Sequence, residues 1–390
     1  LTIVGVIQDM YIRDHIFSGP NLTTQMTLVG SISQGIVNFG VLISSLLLDR
    51  LGGTRNLCIL GSCFIFGGFM LTSISTSIWQ IYLSLSIGAS FGAALLFGVT
   101  TLCIPHWFEK KRATAFGIQS SATQFSSLVL PFIVTRVYDT LGHQWVFRVL
   151  AFISVAINAI AIAFMKDQPT RMENSSGEQI SGSNKNKTMS FDLSIFKITD
   201  MLIWLPTYPM SMSSRFIVLM FLPNYGTYIG LSGTKVAAVT AIASAMSLFG
   251  RISLGIMADR FGYLNIYTLS NAMTTLTILT MWMFANNFAS LIGFSVVYGF
   301  FCATQATVHP AVTARIVGME RYPAAMSFSM VLSILVIPLS LIANSLSAGI
   351  GTAKDPFLIY KLSGGALSGL CTILGLVTKF RLDRNLFANV

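Results

Sequence analysis

Charged residues are scarce in this sequence, and the shortage limits the class of protein that it can encode. Only 10% of its 390 residues are Asp, Glu, Lys or Arg, whereas 53% are hydrophobic. A soluble globular domain usually carries about 25% charged residues, which it needs to cover a surface that faces water. The composition therefore excludes a soluble globular protein and predicts an integral membrane protein.

Cysteine is scarce too, and its spacing excludes two further kinds of site. The five cysteines stand singly in apolar runs, without the paired spacing of zinc ligands or of a disulfide framework. We interpret them as small buried apolar side chains. The sequence predicts no metal site and no cofactor.

Acidic residues are fewer than basic ones, 14 against 24, which gives a net charge of +10. Such a charge is compatible with nucleic-acid binding. However, most of the lysines and arginines fall in loops on one predicted side of the membrane, and basic loops mark the cytoplasmic side. The basic excess therefore indicates membrane topology, and we expect no nucleic-acid partner.

Apolar segments long enough to cross a bilayer, about 20 residues, recur along the whole chain. The predicted spans are 26–48, 57–76, 78–104, 113–135, 145–165, 201–225, 234–257, 266–285, 288–311, 323–346 and 357–378. Residues 1–10 are too few to span and lack the basic region and cleavage site of a signal peptide. We expect the chain to be N-terminally truncated inside its first helix, and the parent protein to have twelve helices.

One polar segment, residues 166–200, divides the predicted helices six and six. It is rich in Ser, Asn and Lys and poor in large apolar residues, which predicts a flexible cytoplasmic loop. We predict an N-terminal half (1–165), the central loop, a C-terminal half (201–379) and a cytoplasmic tail (380–390). The parent protein is expected to be multi-pass in the plasma membrane, with both termini in the cytoplasm.

The two predicted halves share a motif. LLLDRLGG (46–53) and IMADRFGY (256–263) both end a span and enter a predicted cytoplasmic loop, and an internal repeat of this kind is common in secondary transporters. The acid–base pairs in these motifs are candidates for gating, because opposite charges that pair between helices favour one conformation. The gating candidates are Asp49, Arg50, Asp259 and Arg260. The alternative is that the arginines only mark topology.

These residues resemble those of a known family. LLLDRLGGTR (46–55), GIMADRFG (255–262) and the basic loop HWFEKKRATAFGIQSSAT (106–123) resemble signatures of the major facilitator superfamily. FLPNYGTYIGLS (221–232), followed by SLFGRISLGIMADRFGYLN (247–265), resembles the monocarboxylate porter family, particularly its fungal branch. The resemblance covers nearly the whole chain. It implies an all-α bundle of two six-helix halves that alternates between outward-open and inward-open states.

Arg251 is the main candidate for substrate binding. It lies about 12 Å from Asp259 along a helix that rises 1.5 Å per residue, and an arginine inside a span costs about 2.5–3.5 kcal/mol on insertion scales. Its planar guanidinium matches a carboxylate with two hydrogen bonds. The resemblance implies that Arg251 corresponds to the substrate-binding arginine of the family's eighth helix. Well-known members have an aspartate four residues before that arginine, where this sequence has Ser247. The alternative is a structural tie to helix carbonyls.

Other polar residues of the predicted spans are candidates for a substrate path. Arg215 is a possible second contact for an anion. Gln34 and Asn38 are four residues apart and so share a helix face, as do Gln305 and His309. Such residues either line a polar path or join helices through hydrogen bonds.

Groups that could carry a proton are few. Asp9 and His309 are the two candidates, and the resemblance places the family's first-helix lysine in or near the missing segment. An anion that enters an inside-negative compartment without a proton moves against the membrane potential, which costs about 2.3 kcal/mol per 100 mV. We expect weak or absent proton coupling, with proton symport through Asp9 or His309 as the alternative.

Together these features predict a secondary transporter, not an enzyme, that moves a small monocarboxylate-like organic anion across a lipid bilayer. Two alternatives use the same scaffold: a non-transporting sensor that signals through residues 166–200 or the tail, and a carrier of a neutral solute. A third is a membrane-embedded acyl-transfer enzyme that uses His309. It would need a positioned partner for the histidine, and the sequence has no acid nearby.

Overall fold

The computed structural model describes residues 22–51, 53–165, 193–336 and 357–382. Within these ranges every regular element is a helix and there is no strand, so the predicted all-α class is confirmed. Asp9, most of the predicted central loop and the end of the tail lie outside the described residues. Seven helical segments of the described part are long and apolar enough to cross a membrane.

Within the described residues, five helices precede the central loop. Their bounds are α1 Leu22–Leu51, α2 Thr54–Ser73, α3 Ile78–Trp107, α4 Arg112–Leu141 and α5 His143–Phe164. Helix α3 contains a π-helical segment, Tyr82–Ala89. Each helix coincides with a predicted span to within a few residues, except that α4 continues six residues further than expected.

In the part of the C-terminal half that the structure describes, seven helices follow the short 3₁₀-helix Leu193–Lys197. Their bounds are α6 Thr199–Trp204, α7 Thr207–Tyr228, α8 Gly233–Phe261, α9 Tyr263–Leu276, α10 Phe288–Phe301, α11 Thr304–Leu332 and α12 Leu358–Leu382. The π-helical turn Thr277–Trp282 continues α9, and the 3₁₀-turn Ser333–Leu335 continues α11.

The predicted spans differ from these helices in three places. The span 288–311 is divided into α10 and α11 at residues 302–303. The span 201–225 is divided into α6 and α7 at Pro206, which has no N–H to continue the first helix. The expected loop between 311 and 323 is helical apart from a kink at Gly318, where φ is 76° and ψ is 168°. Glycine adopts a positive φ without steric cost, so one residue is enough for the change of direction.

The chain forms two compact units. The first contains the described residues of 1–102 and 131–193, and the second those of 103–130 and 194–390. In the first unit, Gly61 of α2 and Gly92 of α3 approach so closely that a Cβ on either would meet the other's carbonyl oxygen. Small residues therefore allow α2 and α3 to pack closely at this point. The predicted domain boundaries at 165 and 201 stay a prediction.

Aromatic side chains form the core of the second unit. The ring of Trp282 stacks on Phe294 with centroids 5.6 Å apart, and Phe294 stacks on Tyr298 at 5.1 Å. Tyr225 meets Trp282 edge to face at 6.1 Å. These rings come from α7, α10 and the π-helical turn after α9, so the core fixes the helices that carry the polar residues described next.

Candidate transport site

One face of α8 makes a row of contacts with α4. Ser247, Arg251, Gly255 and Asp259 follow one another at intervals of four residues, which places them on one side of the helix. All four meet the first part of α4. We call this set of contacts the α4–α8 contact.

Arg251 lies in the middle of the α4–α8 contact and is 4% exposed. Its Nη1 donates to the carbonyl oxygen of Ser120 at 2.6 Å and to Oγ1 of Thr123 at 3.2 Å. Its Nε has no partner among the described residues. The guanidinium is thus tied to α4 in this conformation, with part of its donor capacity unused.

Asp259 caps the N-terminus of α4. Its carboxylate accepts the backbone N–H of Ala113 at 3.0 Å, the N–H of Thr114 at 2.8 Å and the Thr114 hydroxyl at 2.5 Å. The first N–H groups of a helix have no partner inside it, and the helix dipole favours a negative charge there. A carboxylate of α8 therefore holds the beginning of α4.

Two glycines allow the backbones of α4 and α8 to touch. A Cβ on Gly117 would collide with the carbonyl oxygen of Arg251, and one on Gly255 would come within 2.7 Å of the carbonyl oxygen of Ala113. Near the other end of the contact, Nε2 of Gln124 donates to Oγ of Ser247 at 3.1 Å. The contact combines close packing with directional polar bonds.

A small polar cavity lies beside these residues in the second unit. Its volume is ≈ 20 Å³, room for about one water-sized group. It is lined by Ser211, Ser214, Arg215, Asn271, Thr274, Tyr298, Phe301, Cys302, Thr304, Gln305 and Ser368. Since five helices contribute to this lining, the sequence brings distant polar residues together here.

Arg215 is the one cation of this lining, and its side chain is half-buried. No described group accepts a hydrogen bond from it. Arg215 and Arg251 lie close enough for their positive charges to repel each other. The sequence has no Asp or Glu between Asp200 and Asp259, so no carboxylate of α7 or of the rest of α8 compensates this repulsion.

Gln305 and His309 share a helix face as predicted, but they have different surroundings. Gln305 accepts from the Tyr267 hydroxyl at 3.4 Å and lines the cavity. His309 is fully buried, with its ring stacked on Trp204 at 4.9 Å and meeting Tyr208 at 4.8 Å. Its Nε2 has no partner among the described residues. The structure thus encloses this proton-carrier candidate among aromatic rings.

The remaining predicted site residues are in α1 and at the end of α8. In α1, Nε2 of Gln34 donates to Oδ1 of Asn38 at 2.9 Å, so the two side chains bond to each other. Arg50 and Arg260 are exposed at the ends of α1 and α8. For Asp49 the structure describes the helix but not the side chain.

Two notable residues were not among the predicted site residues. Tyr298 is fully buried, lines the cavity and has a hydroxyl without a partner. Lys361 is near the start of the predicted span 357–378, yet it is 1% exposed and its Nζ lies 4.3 Å from the centroid of the Tyr225 ring. Burial was the missing signal, because a lysine near a predicted helix end is usually interfacial and a single tyrosine inside a predicted span is not distinctive.

In the described part of the chain, no three side chains of His, Cys, Asp or Glu come together as metal ligands would. The chemistry that the site offers is therefore that of guanidinium groups, hydroxyls and amides. Such groups bind an anion or a polar solute by charge and hydrogen bonds.

Comparison with known proteins identifies the family. The Major Facilitator Superfamily model matches residues 21–208 and 204–385. An MFS-type transporter of Gibberella moniliformis is 27% identical over 268 residues, which cover 69% of this chain and 62% of that protein. The Fujikurins efflux protein of Gibberella fujikuroi is 27% identical over 260 residues, 66% of this chain and 53% of that protein. The chain thus spans about three fifths of the length of such relatives.

The fold is also found among solved structures. The crystal structure of an E. coli fucose:proton symporter, FucP, superposes with a TM-score of 0.75 at 13% identity, covering 97% of this chain and 95% of that one. At this identity the likeness shows the fold alone. The match of the family model to both parts of the chain, together with the all-helical fold, establishes that the chain belongs to the Major Facilitator Superfamily.

Proposed function

We propose that the protein is a secondary transporter that moves a small organic anion across a membrane by alternating access. The observation that carries this proposal is the pair Arg215 and Arg251, two cations in neighbouring helices without a carboxylate between them. Charged groups inside a membrane are paired or line a solute path. An anionic solute would compensate both charges during transport.

Arg251 links solute binding to movement. Its guanidinium donates to α4 in this conformation. A carboxylate that accepts two hydrogen bonds from this guanidinium would replace the Ser120 carbonyl as the acceptor. A ligand shifts a conformational equilibrium only through contacts that differ between the states. Exchange of the Ser120 carbonyl for the solute supplies such a difference, and it would favour separation of α4 from α8.

Asp259 forms the second half of this gate by capping α4. We propose that Asp49, Arg50 and Arg260 act at the same end of the bundle, as the repeated motif suggests, and that this end faces the cytoplasm. The supporting feature is the excess of Lys and Arg in the loops on the side of the membrane to which both motifs are assigned.

The finer assignment rests on the sequence motifs. We propose a carrier similar to the monocarboxylate porters, in the plasma membrane with cytoplasmic termini, and with two halves joined by residues 166–200. Ser247, Gln305, Gln34 and Asn38 would supply neutral polar contacts to the solute. Since one fungal relative is named an efflux protein, flux is to be measured in both directions.

The first experiment measures flux of labelled organic acids through the full-length protein in proteoliposomes, with Arg251→Gln beside it. Glutamine keeps a polar side chain but loses the charge and the fork. Hydrogen bonds to charged groups contribute about 1.5–3 kcal/mol, so we expect kcat/KM to fall by about tenfold or more. Arg136→Gln is the matched control, because Arg136 is exposed and makes no side-chain hydrogen bond within the described residues.

The outcomes separate the candidate functions. Saturable flux that is lost in Arg251→Gln but kept in Arg136→Gln supports the anion carrier. Saturable flux that survives the Arg251 change would make this arginine a structural tie and point to a neutral solute near Gln34 and Asn38. Saturable binding without flux in either direction would instead favour a sensor.

A further inference from the structure

We propose that Arg215 and Tyr298 form a carboxylate-binding subsite in the small cavity of the second unit, separate from Arg251. The inference rests on the proposed anion transport and names the group that receives the head of the substrate when Arg251 is tied to α4. Tyr298 would donate its hydroxyl to one carboxylate oxygen, and the Arg215 guanidinium would bind the other.

The Tyr298 hydroxyl is a donor without an acceptor in this conformation. The residue is fully buried and lines the cavity, yet its hydroxyl has no partner among the described residues. Buried polar groups in folded proteins are nearly always hydrogen-bonded, and an exception calls for an explanation such as a functional role. A ligand oxygen in the cavity would satisfy this donor.

The ring of Tyr298 is held rigidly by its neighbours. It stacks on Phe294 with centroids 5.1 Å apart, and Phe294 in turn stacks on Trp282. A ring fixed by packing points its hydroxyl in one direction before any ligand arrives, which lowers the entropic cost of binding. The orientation of this donor is therefore a property of the fold.

Arg215 supplies the charge. It lines the same cavity, and no described group accepts from its guanidinium. By contrast, Arg251 already donates to Ser120 and Thr123. Of these two arginines, Arg215 is the one with all its donors available in this conformation, so an anion in the cavity would bind Arg215 without displacing the α4–α8 contact.

The other hydroxyl groups around the cavity already donate hydrogen bonds to acceptors within the protein. Ser214 donates to the Gly364 carbonyl at 2.7 Å, Thr274 to Ser270 at 2.8 Å and Ser368 to Asn271 at 3.2 Å. Ser211 and Thr304 also have acceptors, at 3.4 Å and 3.0 Å. Among the hydroxyl and guanidinium donors of the lining, Tyr298 and Arg215 are therefore the ones that have no acceptor within the described residues. A ligand group with two acceptor oxygens would accept a hydrogen bond from each of these two residues.

The size of the cavity selects among anionic groups. At ≈ 20 Å³ it admits a single small group and not a whole metabolite. A carboxylate presents two oxygens in one plane, which matches one guanidinium edge or one guanidinium and one hydroxyl. A sulfonate adds a third oxygen out of that plane. We expect the subsite to prefer carboxylates to sulfonates of equal chain length.

The test uses propionate and ethanesulfonate, which carry the same ethyl group, as head-group probes on the purified full-length protein. The thermal midpoint is measured against probe concentration at constant ionic strength. We expect propionate to raise the midpoint saturably and ethanesulfonate to raise it less. In Tyr298→Phe, which keeps the ring stack, the half-saturating propionate concentration should rise about tenfold, and in Arg215→Gln the shift should disappear.

Tyr225→Phe is the matched control. This tyrosine belongs to the same aromatic core, lies outside the cavity lining, and donates to the Ala285 carbonyl at 2.9 Å. Loss of this hydrogen bond should lower the thermal midpoint measured without propionate. It should leave the half-saturating propionate concentration unchanged. The subsite is overturned if propionate gives no saturable shift in the unmodified protein, or if Tyr298→Phe binds it as the unmodified protein does.

Failure of this proposal is distinguishable from failure of the proposed function. Flux of an organic acid that depends on Arg251 but not on Tyr298 or Arg215 would keep the transporter and remove the subsite. Saturable propionate binding that depends on Tyr298 and Arg215, without flux of any acid, would keep the subsite and remove the transporter.

Discussion

At the scale of single residues, Asp259 shows how one carboxylate stabilises a contact between distant segments. Its two oxygens accept two backbone amides and one hydroxyl at the start of α4. Side-chain capping of a helix contributes about 0.5–2 kcal/mol, and the interaction with the helix dipole adds about 0.3–1 kcal/mol. The residue was predicted from a motif as a partner for an opposite charge, but its partner is a helix terminus.

We predict that Asp259→Ala loosens the beginning of α4. The amides of Ala113 and Thr114 would lose their acceptor, and their hydrogen exchange should become about tenfold faster or more, measured by mass spectrometry on the full-length protein. Asp200→Ala is the control, since Asp200 forms an exposed ion pair with Arg381 at 2.6 Å and such pairs contribute little. Unchanged protection of the two amides in Asp259→Ala would contradict the capping role.

The residue scale also shows where burial changed an interpretation. His309 is a candidate proton carrier, and the structure encloses it between Trp204 and Tyr208. Its Nε2 has no hydrogen-bond partner in the described part of the chain. Its role in proton coupling stays a prediction, as does that of Asp9.

At the scale of elements, the approach of α4 and α8 depends on two glycines. Gly117 faces the carbonyl of Arg251, and Gly255 faces that of Ala113. The atoms that a methyl group would meet are backbone atoms, which cannot rotate away as the end of a flexible side chain does. The two helices can therefore reach this distance only while both positions lack a Cβ.

We predict that Gly255→Ala separates α4 from α8. Its Cβ would lie 2.7 Å from the Ala113 carbonyl oxygen, so the helices must move apart by several tenths of an ångström or adopt the open conformation more often. Spin labels at Lys111 and Arg260, both exposed, should report longer distances. Gly67→Ala in α2 meets open space and should leave the distribution as it was. An unchanged distribution in Gly255→Ala would show that the contact tolerates a methyl group.

The length of the apolar segments predicted most helices to within a few residues, because spanning length is a property of each segment alone. It failed where backbone geometry decides. At Gly318 a single positive φ replaces an expected loop of about ten residues, and Pro206 divides one expected span in two. Neither effect alters the hydropathy of the segment, so neither is visible in it.

At the scale of the whole molecule, the distribution of charge bears on the energetics of transport. The described spans carry arginines without compensating carboxylates, so the complex with a monovalent anion moves net charge unless a proton accompanies it. A membrane potential acts on one elementary charge with about 2.3 kcal/mol per 100 mV. Electrogenic anion transport and proton symport therefore respond differently to the same gradients.

We predict that flux follows the membrane potential and not the pH gradient. In proteoliposomes, an inside-positive potential of 100 mV should drive accumulation of the transported acid towards a ratio of about 40-fold. Collapsing a pH gradient at fixed potential should leave the flux unchanged. Strong dependence on the pH gradient would instead indicate proton symport, and His309→Gln would then test whether this histidine carries the proton.

The sequence by itself determined the class, the helices and the family, because these depend on composition, on the length of apolar runs and on local motifs such as IMADRFGY. It also singled out Arg251, since a charge inside an apolar run is conspicuous. The tertiary structure alone decided the partners. Arg251 binds a carbonyl 131 residues away, and Asp259 binds amides up to 146 residues away. Every residue has a carbonyl and nearly every residue an amide, so no sequence pattern identifies which of them a side chain will meet.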